Sequence, residues 1–174
     1  MESNKNLVLV GMMGSGKTLI GKSISKQTKL KFVDIDIEIE EKEKMKIAEI
    51  FKKNGEKYFR QCEEEITLSF LKGEKQILSL GGGAYINSNI RRECKKNSFS
   101  FWLNWKKDII IKRINGSKKR PLAMTLSETD LEKLINERAK IYSRADFTIN
   151  CDHLNKNEIV NKIIKKYEIK NNKS

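Results

Sequence analysis

From Gly11 to Thr18 the chain reads Gly-Met-Met-Gly-Ser-Gly-Lys-Thr, directly behind the apolar run Leu7-Val8-Leu9-Val10. Few eight-residue stretches constrain a fold so far. Gly11 and Gly16 enclose four free positions and are followed by Lys17 and Thr18, the pattern of a loop whose backbone N–H groups converge on one point. The apolar run before it predicts a buried strand, and Ile20 and Ile24 after it predict a helix. A strand feeding a loop that opens a helix aims the positive end of the helix at the loop, which favours phosphate. Lys17 then supplies a mobile cation for the outer phosphates, and the Thr18 hydroxyl is placed for Mg²⁺. A chance glycine-rich turn would not be expected to carry Lys-Thr in register between a strand and a helix.

Four further apolar runs follow, at Phe32 to Ile35, Ile77 to Leu80, Phe99 to Leu103 and Phe147 to Ile149, with helical stretches between them. Such alternation predicts an α/β fold with a parallel sheet covered on both faces. Within Glu56 to Leu71, the residues Phe59, Cys62, Ile66 and Phe70 recur at steps of three and four, which makes one apolar stripe on a helix. Ile159, Val160, Ile163, Ile164 and Tyr167 do the same near the end. A length of 174 residues suits a single domain over 1–174.

The net charge of +13 invites a nucleic-acid reading. The basic residues are spread along the chain, however, and not gathered into one run, which fits solvated faces and attraction of anionic ligands better. No nucleic-acid partner is expected. Cys62, Cys94 and Cys151 are few, odd in number and widely spaced, unlike a disulfide framework or a zinc site. With no stretch of membrane-spanning length and no room for a signal peptide before Leu7, the expectation is a cytoplasmic chain without a membrane partner.

Three constellations carry more chemistry. Asp34-Ile35-Asp36 closes the second apolar run, at a strand's carboxyl end, where open α/β sheets bind ligands; strand alternation would send both carboxylates to one side. Gly81-Gly82-Gly83 ends the third run and would bare backbone N–H groups beside a substrate. Arg60 stands three and four positions before Glu63 and Glu64, close enough on a helix for a carboxylate to orient the guanidinium. Arg138 and Arg144 lie on or near a helical stretch from Asp130 to Tyr142, while His153 has no metal-site companion. Between 115 and 130, Gly116, the only proline (Pro121) and three consecutive cations make a basic segment of the kind that covers phosphates.

The phosphate loop, the Asp-x-Asp, Ile47-Ala48-Glu49-Ile50-Phe51 with Gly55-Glu56 and Phe59-Arg60, the Gly81 to Gly83 run, and Arg120-Pro121-Leu122 stand in an order and at separations that resemble the shikimate kinases over roughly 7–167. The resemblance implies a three-layer P-loop kinase fold, a five-stranded parallel sheet flanked by helices. A mobile lid would span about 115–130, and a substrate-binding region about 34–64. It implies transfer of the ATP γ-phosphoryl group to the 3-hydroxyl of shikimate, with Mg²⁺, by a monomer. Carried over residue by residue, Gly14, Ser15, Gly16, Lys17 and Thr18 resemble the ATP phosphate site, with Thr18 and Asp34 on the metal. Asp36 resembles the residue on the acceptor hydroxyls. Arg60, Arg138 and the glycines Gly81, Gly82 and Gly83 resemble the carboxylate side of the shikimate pocket, with Glu63 orienting Arg60. Arg120 resembles the lid arginine that reaches the transferring phosphate. Lys17, Asp36 and Arg120 are thus the catalytic candidates, and Arg113 and Asn155 occupy the neighbourhood of the nucleotide.

Ala123-Met124 depart from the leucine that often follows in this family, which bears on lid packing. Trp102 and Trp105 are read as packing residues. A gluconate or nucleotide kinase would share the loop but need another acceptor pocket, and a non-catalytic nucleotide-binding regulatory protein would have no use for the acids and arginines together.

Overall fold

The computed structural model describes residues 4–116 and 126–172. Its centre is one sheet of five parallel strands, β1 (Asn6–Val10), β2 (Phe32–Asp34), β3 (Ile77–Ser79), β4 (Ser98–Asn104) and β5 (Phe147–Asn150), in the order β2-β3-β1-β4-β5. The five apolar runs are these five strands. They are legible because a strand covered on both faces must be apolar at every position instead of alternating, and all of β1 is buried.

Seven helices surround the sheet among the described residues: α1 (Lys17–Thr28), α2 (Ile35–Glu43), α3 (Ile47–Lys72), α4 (Ser88–Asn97), α5 (Lys107–Asn115), α6 (Glu128–Tyr142) and α7 (Lys156–Asn171). Parallel crossovers are right-handed, so the connection from β1 out to β2 passes one face and the later connections, returning across the sheet, pass the other. The core divides accordingly. Leu7 and Leu9 pack with Ile20 and Ile24 of α1 and Ile159, Val160 and Ile163 of α7. Val8 and Val10 pack with Ile39, Ile50, Phe59, Ile66, Ile110 and Leu131 from α2, α3, α5 and α6. Each such Leu or Ile, fully buried, contributes about 1.5–3 kcal/mol over exposure.

Two local features bear on the sequence reading, and the first departs from it. The second apolar run ends as a strand at Asp34, and Ile35 and Asp36 begin α2, so Asp34 and Asp36 are not strand residues sharing a side. Asp34 is the helix N-cap, its Oδ1 accepting the Asp36 N–H at 3.2 Å; an Asp is well suited there because it satisfies an otherwise orphaned N–H. The apolar character of Ile35 belongs to the helix face it shares with Ile39, both fully buried. The second is a break at Gly55 inside α3, where φ 82 and ψ 170 interrupt the helix, so the regular segment does begin at Glu56.

The order β2-β3-β1 also locates a crevice. Connections leave β1 and β3 on opposite faces of the sheet, and ligands of open α/β sheets bind outside the strand ends where this reversal occurs. The phosphate loop follows β1 and the triple glycine follows β3.

Candidate active site

The donor side is built by the loop between β1 and α1. Lys17, the first residue of α1, curls back so that its Nζ donates to the carbonyls of Gly11 at 2.8 Å and Met12 at 3.0 Å. The Thr18 hydroxyl donates to Asp34 Oδ2 at 2.6 Å. Thr18 and Asp34, predicted as a pair of metal ligands, are thus in contact from different elements, and both offer oxygen, the donor a hard cation such as Mg²⁺ takes. A site of one carboxylate and one hydroxyl also suits Mg²⁺, which keeps waters and substrate phosphates in its shell instead of a full protein cage. The buried Ser15 hydroxyl is left without a hydrogen-bond partner at the loop. Such an atom marks a place where a ligand can complete the bonding.

Asp36 stands one helical step inside, between donor and acceptor sides. Its carboxyl is pushed up to about 6, chiefly by burial and then by the Asp34 carboxylate, while Lys17 pulls the other way. Burial disfavours the charged form, and a like charge adds to that. A carboxylate held in this way is a stronger proton acceptor than an ordinary aspartate.

The expected acceptor side is assembled from three helices around the turn after β3. Arg60 Nη1 donates to Glu63 Oε2 at 2.6 Å, and its Nε and Nη2 each lie 3.3 Å from Glu56 Oε1. The sequence spacing left Glu63 and Glu64 open as partners for Arg60, and the structure separates them. Glu63, only 2% exposed, holds Arg60. Glu64 instead accepts from the side-chain amides of Asn87 and Asn89, at 2.7 Å each, tying α3 to the start of α4. Burial pushes the Glu63 carboxyl up, against the pull of Arg60 and Arg138. Burial alone would lower the Arg60 guanidinium, yet Glu63 and Glu56 outweigh it and raise its pKa. The close 2.6 Å contact is that of an ion pair, with Arg60 charged throughout.

The triple glycine makes this crowding possible. A Cβ added at Gly81 would lie 2.7 Å from both Asp36 Oδ1 and Glu63 Oε1; at Gly82, 3.3 Å from Arg138 Nη1; and at Gly83, 2.8 Å from Arg60 Cζ. Gly81, Gly82 and Gly83 are not a flexible connector. They are the floor against which Asp36, Glu63, Arg138 and Arg60 converge.

Arg138 reaches this turn from α6, its Nη1 also 3.9 Å from the Met12 sulfur. Tyr142, one turn later on α6, donates its hydroxyl to the Gly82 carbonyl. That residue escaped the sequence reading, although its placement four positions after Arg138 puts both on one helix face. Arg144 is exposed beyond the end of α6, and His153 is exposed as well.

Of the two residues expected near the nucleotide, Arg113 of α5 donates to the Gly14 carbonyl at 3.3 Å and lies 3.9 Å over the Trp105 ring. Asn155 caps α7, its Oδ1 accepting the Glu158 N–H at 3.0 Å. Arg120 and the centre of the basic segment lie outside the described residues.

A family model described as shikimate kinase matches residues 13–168. The chain belongs to the shikimate kinase family. Among its similar relatives, the shikimate kinase of Bartonella quintana (strain Toulouse) is 41% identical over 160 residues, covering 91% of this chain and 76% of the relative. That of Thermodesulfovibrio yellowstonii is 37% identical over 165 residues, 94% of this chain and 95% of the relative. The solved structure of the shikimate kinase from Acinetobacter baumannii in complex with shikimate superimposes with a TM-score of 0.89 at 29% identity, covering 97% and 96% of the two chains. A gluconokinase from Sinorhizobium meliloti 1021, at 13% identity and a TM-score of 0.64, shares the fold. The match runs from within the phosphate loop to α7, and the five-stranded P-loop kinase architecture is present as expected.

Proposed function

We propose that this chain transfers the γ-phosphoryl group of ATP to the 3-hydroxyl of shikimate, giving shikimate 3-phosphate and ADP on the route to chorismate and the aromatic amino acids. The observation that carries the acceptor is the convergence of Asp36, Arg60 and Arg138 on one glycine turn. A ring bearing one carboxylate and several hydroxyls needs two kinds of reader in a small space. Arg60, held at 2.6 Å by Glu63, and Arg138 offer guanidinium donors for the carboxylate. Asp36 takes the hydroxyls and accepts the proton of the attacking one.

On the donor side, Gly14, Ser15, Gly16 and Lys17 hold the phosphates, Lys17 exchanging its two loop carbonyls for phosphate oxygens. Thr18 and Asp34 hold Mg²⁺, which when bound neutralises developing charge on the phosphates. Arg113 and Asn155 serve the nucleotide, and Arg120 serves the transferring phosphate. Positioning and charge neutralisation supply most of the acceleration in such reactions.

The chain acts as a cytoplasmic monomer on small molecules, with no nucleic-acid or membrane partner. In support, Cys62, Cys94 and Cys151 are free thiols. A panel of acceptors tests the assignment: Mg²⁺ and ATP with shikimate, gluconate or nucleoside monophosphates, following ADP release. ADP should appear with shikimate alone; turnover of another acceptor with shikimate inert would overturn it.

A further inference from the structure

We infer that Trp105 is a positioning residue of the phosphate loop, holding the peptide between Ser15 and Gly16 in the orientation that nucleotide binding needs. The inference rests on the reading that this loop receives the phosphates of ATP, and it concerns a side chain that sequence reasoning assigned to packing. The sheet register explains how Trp105 gets there. β4 pairs with β1 so that Val10 lies beside Trp102, and β4 runs on beside the start of the loop, bringing the Leu103 carbonyl 3.1 Å from the Cβ position of Gly11. Trp105 follows at once, before α5 begins. Its indole N–H donates to the Ser15 carbonyl at 3.0 Å.

That carbonyl and the Gly16 N–H belong to one planar trans peptide and point in opposite directions. Gly16 stands at φ 89, where glycine rests without the penalty of a side chain and has alternative conformations of similar energy. Nothing in Gly16 itself keeps the peptide from turning over. The indole bond does so, drawing the carbonyl to the flank and leaving the N–H directed away from the tryptophan. Arg113 completes the brace. Its guanidinium lies 3.9 Å over the indole ring and donates to the preceding carbonyl, that of Gly14, at 3.3 Å. Two consecutive loop carbonyls are therefore held from outside by a stacked pair, and the pair connects the loop to α5.

The test separates the N–H from the bulk of the ring. Trp105→Phe keeps a ring under Arg113 and removes the donor. ADP affinity measured by calorimetry should fall about three- to tenfold, the worth of one neutral hydrogen bond, and the KM for ATP should rise with it. The KM for shikimate should stay within about twofold, because no acceptor residue touches this bond. In a Trp102→Phe variant, Trp105 is the remaining indole, and its emission should shift saturably as ADP is added. Unchanged ADP affinity in Trp105→Phe would overturn the inference. So would equal rises in both KM values with a lowered Tm, the mark of general packing loss. A wild-type chain that binds ADP but leaves shikimate unphosphorylated would sink the acceptor assignment instead, leaving the brace to be judged by ADP binding.

Discussion

Replacing Asp36 by Asn should make the protein more stable and nearly inactive at once. The carboxyl of Asp36 is raised from its ordinary value of 3.8 to about 6, first by burial and then by Asp34. Between these two values the folded chain holds a proton that the unfolded chain has released, so stability falls as pH rises through that window. Below about pH 4 the group is neutral in both states and contributes no penalty; above about pH 6 the penalty is complete. At ~1.4 kcal/mol per pH unit the gap corresponds to ~3 kcal/mol, an upper figure because local relaxation eases a buried charge. We expect Asp36→Asn to recover about 1–3 kcal/mol at pH 8, or roughly 3–8 °C in Tm for a chain of this length. The difference from wild type should shrink toward zero by about pH 4. Calorimetric melts of both proteins between pH 4 and 8, free of nucleotide and metal, measure it, and coupled ADP release should show kcat lowered at least about a hundredfold. A Tm gain that ignores pH, or a loss at pH 8, would refute the electrostatic account. Activity near wild type would remove Asp36 from the reaction.

Gly83→Ala tests the glycine floor. Gly83 has helical φ and ψ that alanine tolerates, so its effect must come from the new methyl against Arg60; the KM for shikimate should rise about ten- to a hundredfold with the KM for ATP little changed. Steady-state kinetics with each substrate varied would show it, and an unaltered shikimate KM would mean Arg60 does not depend on this contact. Tyr142→Phe removes the hydroxyl that holds the Gly82 carbonyl. Urea unfolding should report a loss of about 1–2 kcal/mol through a lower midpoint at constant slope, and an unmoved midpoint would show that the bond contributes nothing to stability.

The strands and most of the helices were legible because their signal is local. β1 through β5 are apolar runs, and of the stripe on α7, Ile159, Val160, Ile163 and Tyr167 are buried and Ile164 partly so. Asp34 and Asp36 stand together, but not as strand neighbours: Ile35 prolongs an apolar run and also pairs with Ile39 on a helix face, and periodicity over three residues does not decide between these. The N-cap character of Asp34 was the available clue. Bonds between distant segments left no trace. Trp105 meets Ser15 across 90 residues and Glu64 meets Asn87 across 23, and neither end carries a pattern that names the other. The triple glycine was read as bare backbone because its use depends on side chains from three other elements, a fact that exists only after folding.

The division of the core by the sheet has an evolutionary meaning. Lys17 and Thr18 sit on α1, whose packing is shared with α7 on one face, whereas Asp36, Arg60, Glu63 and Arg138 project from α2, α3 and α6, which pack on the other. Substitutions beneath these four side chains therefore fall in a core that also holds Met12 and Met13 of the phosphate loop, while the packing under α1 lies across the strands. Change in that core reaches the loop through Met12 and Met13, while the helix that carries Lys17 and Thr18 keeps its seat on the opposite face.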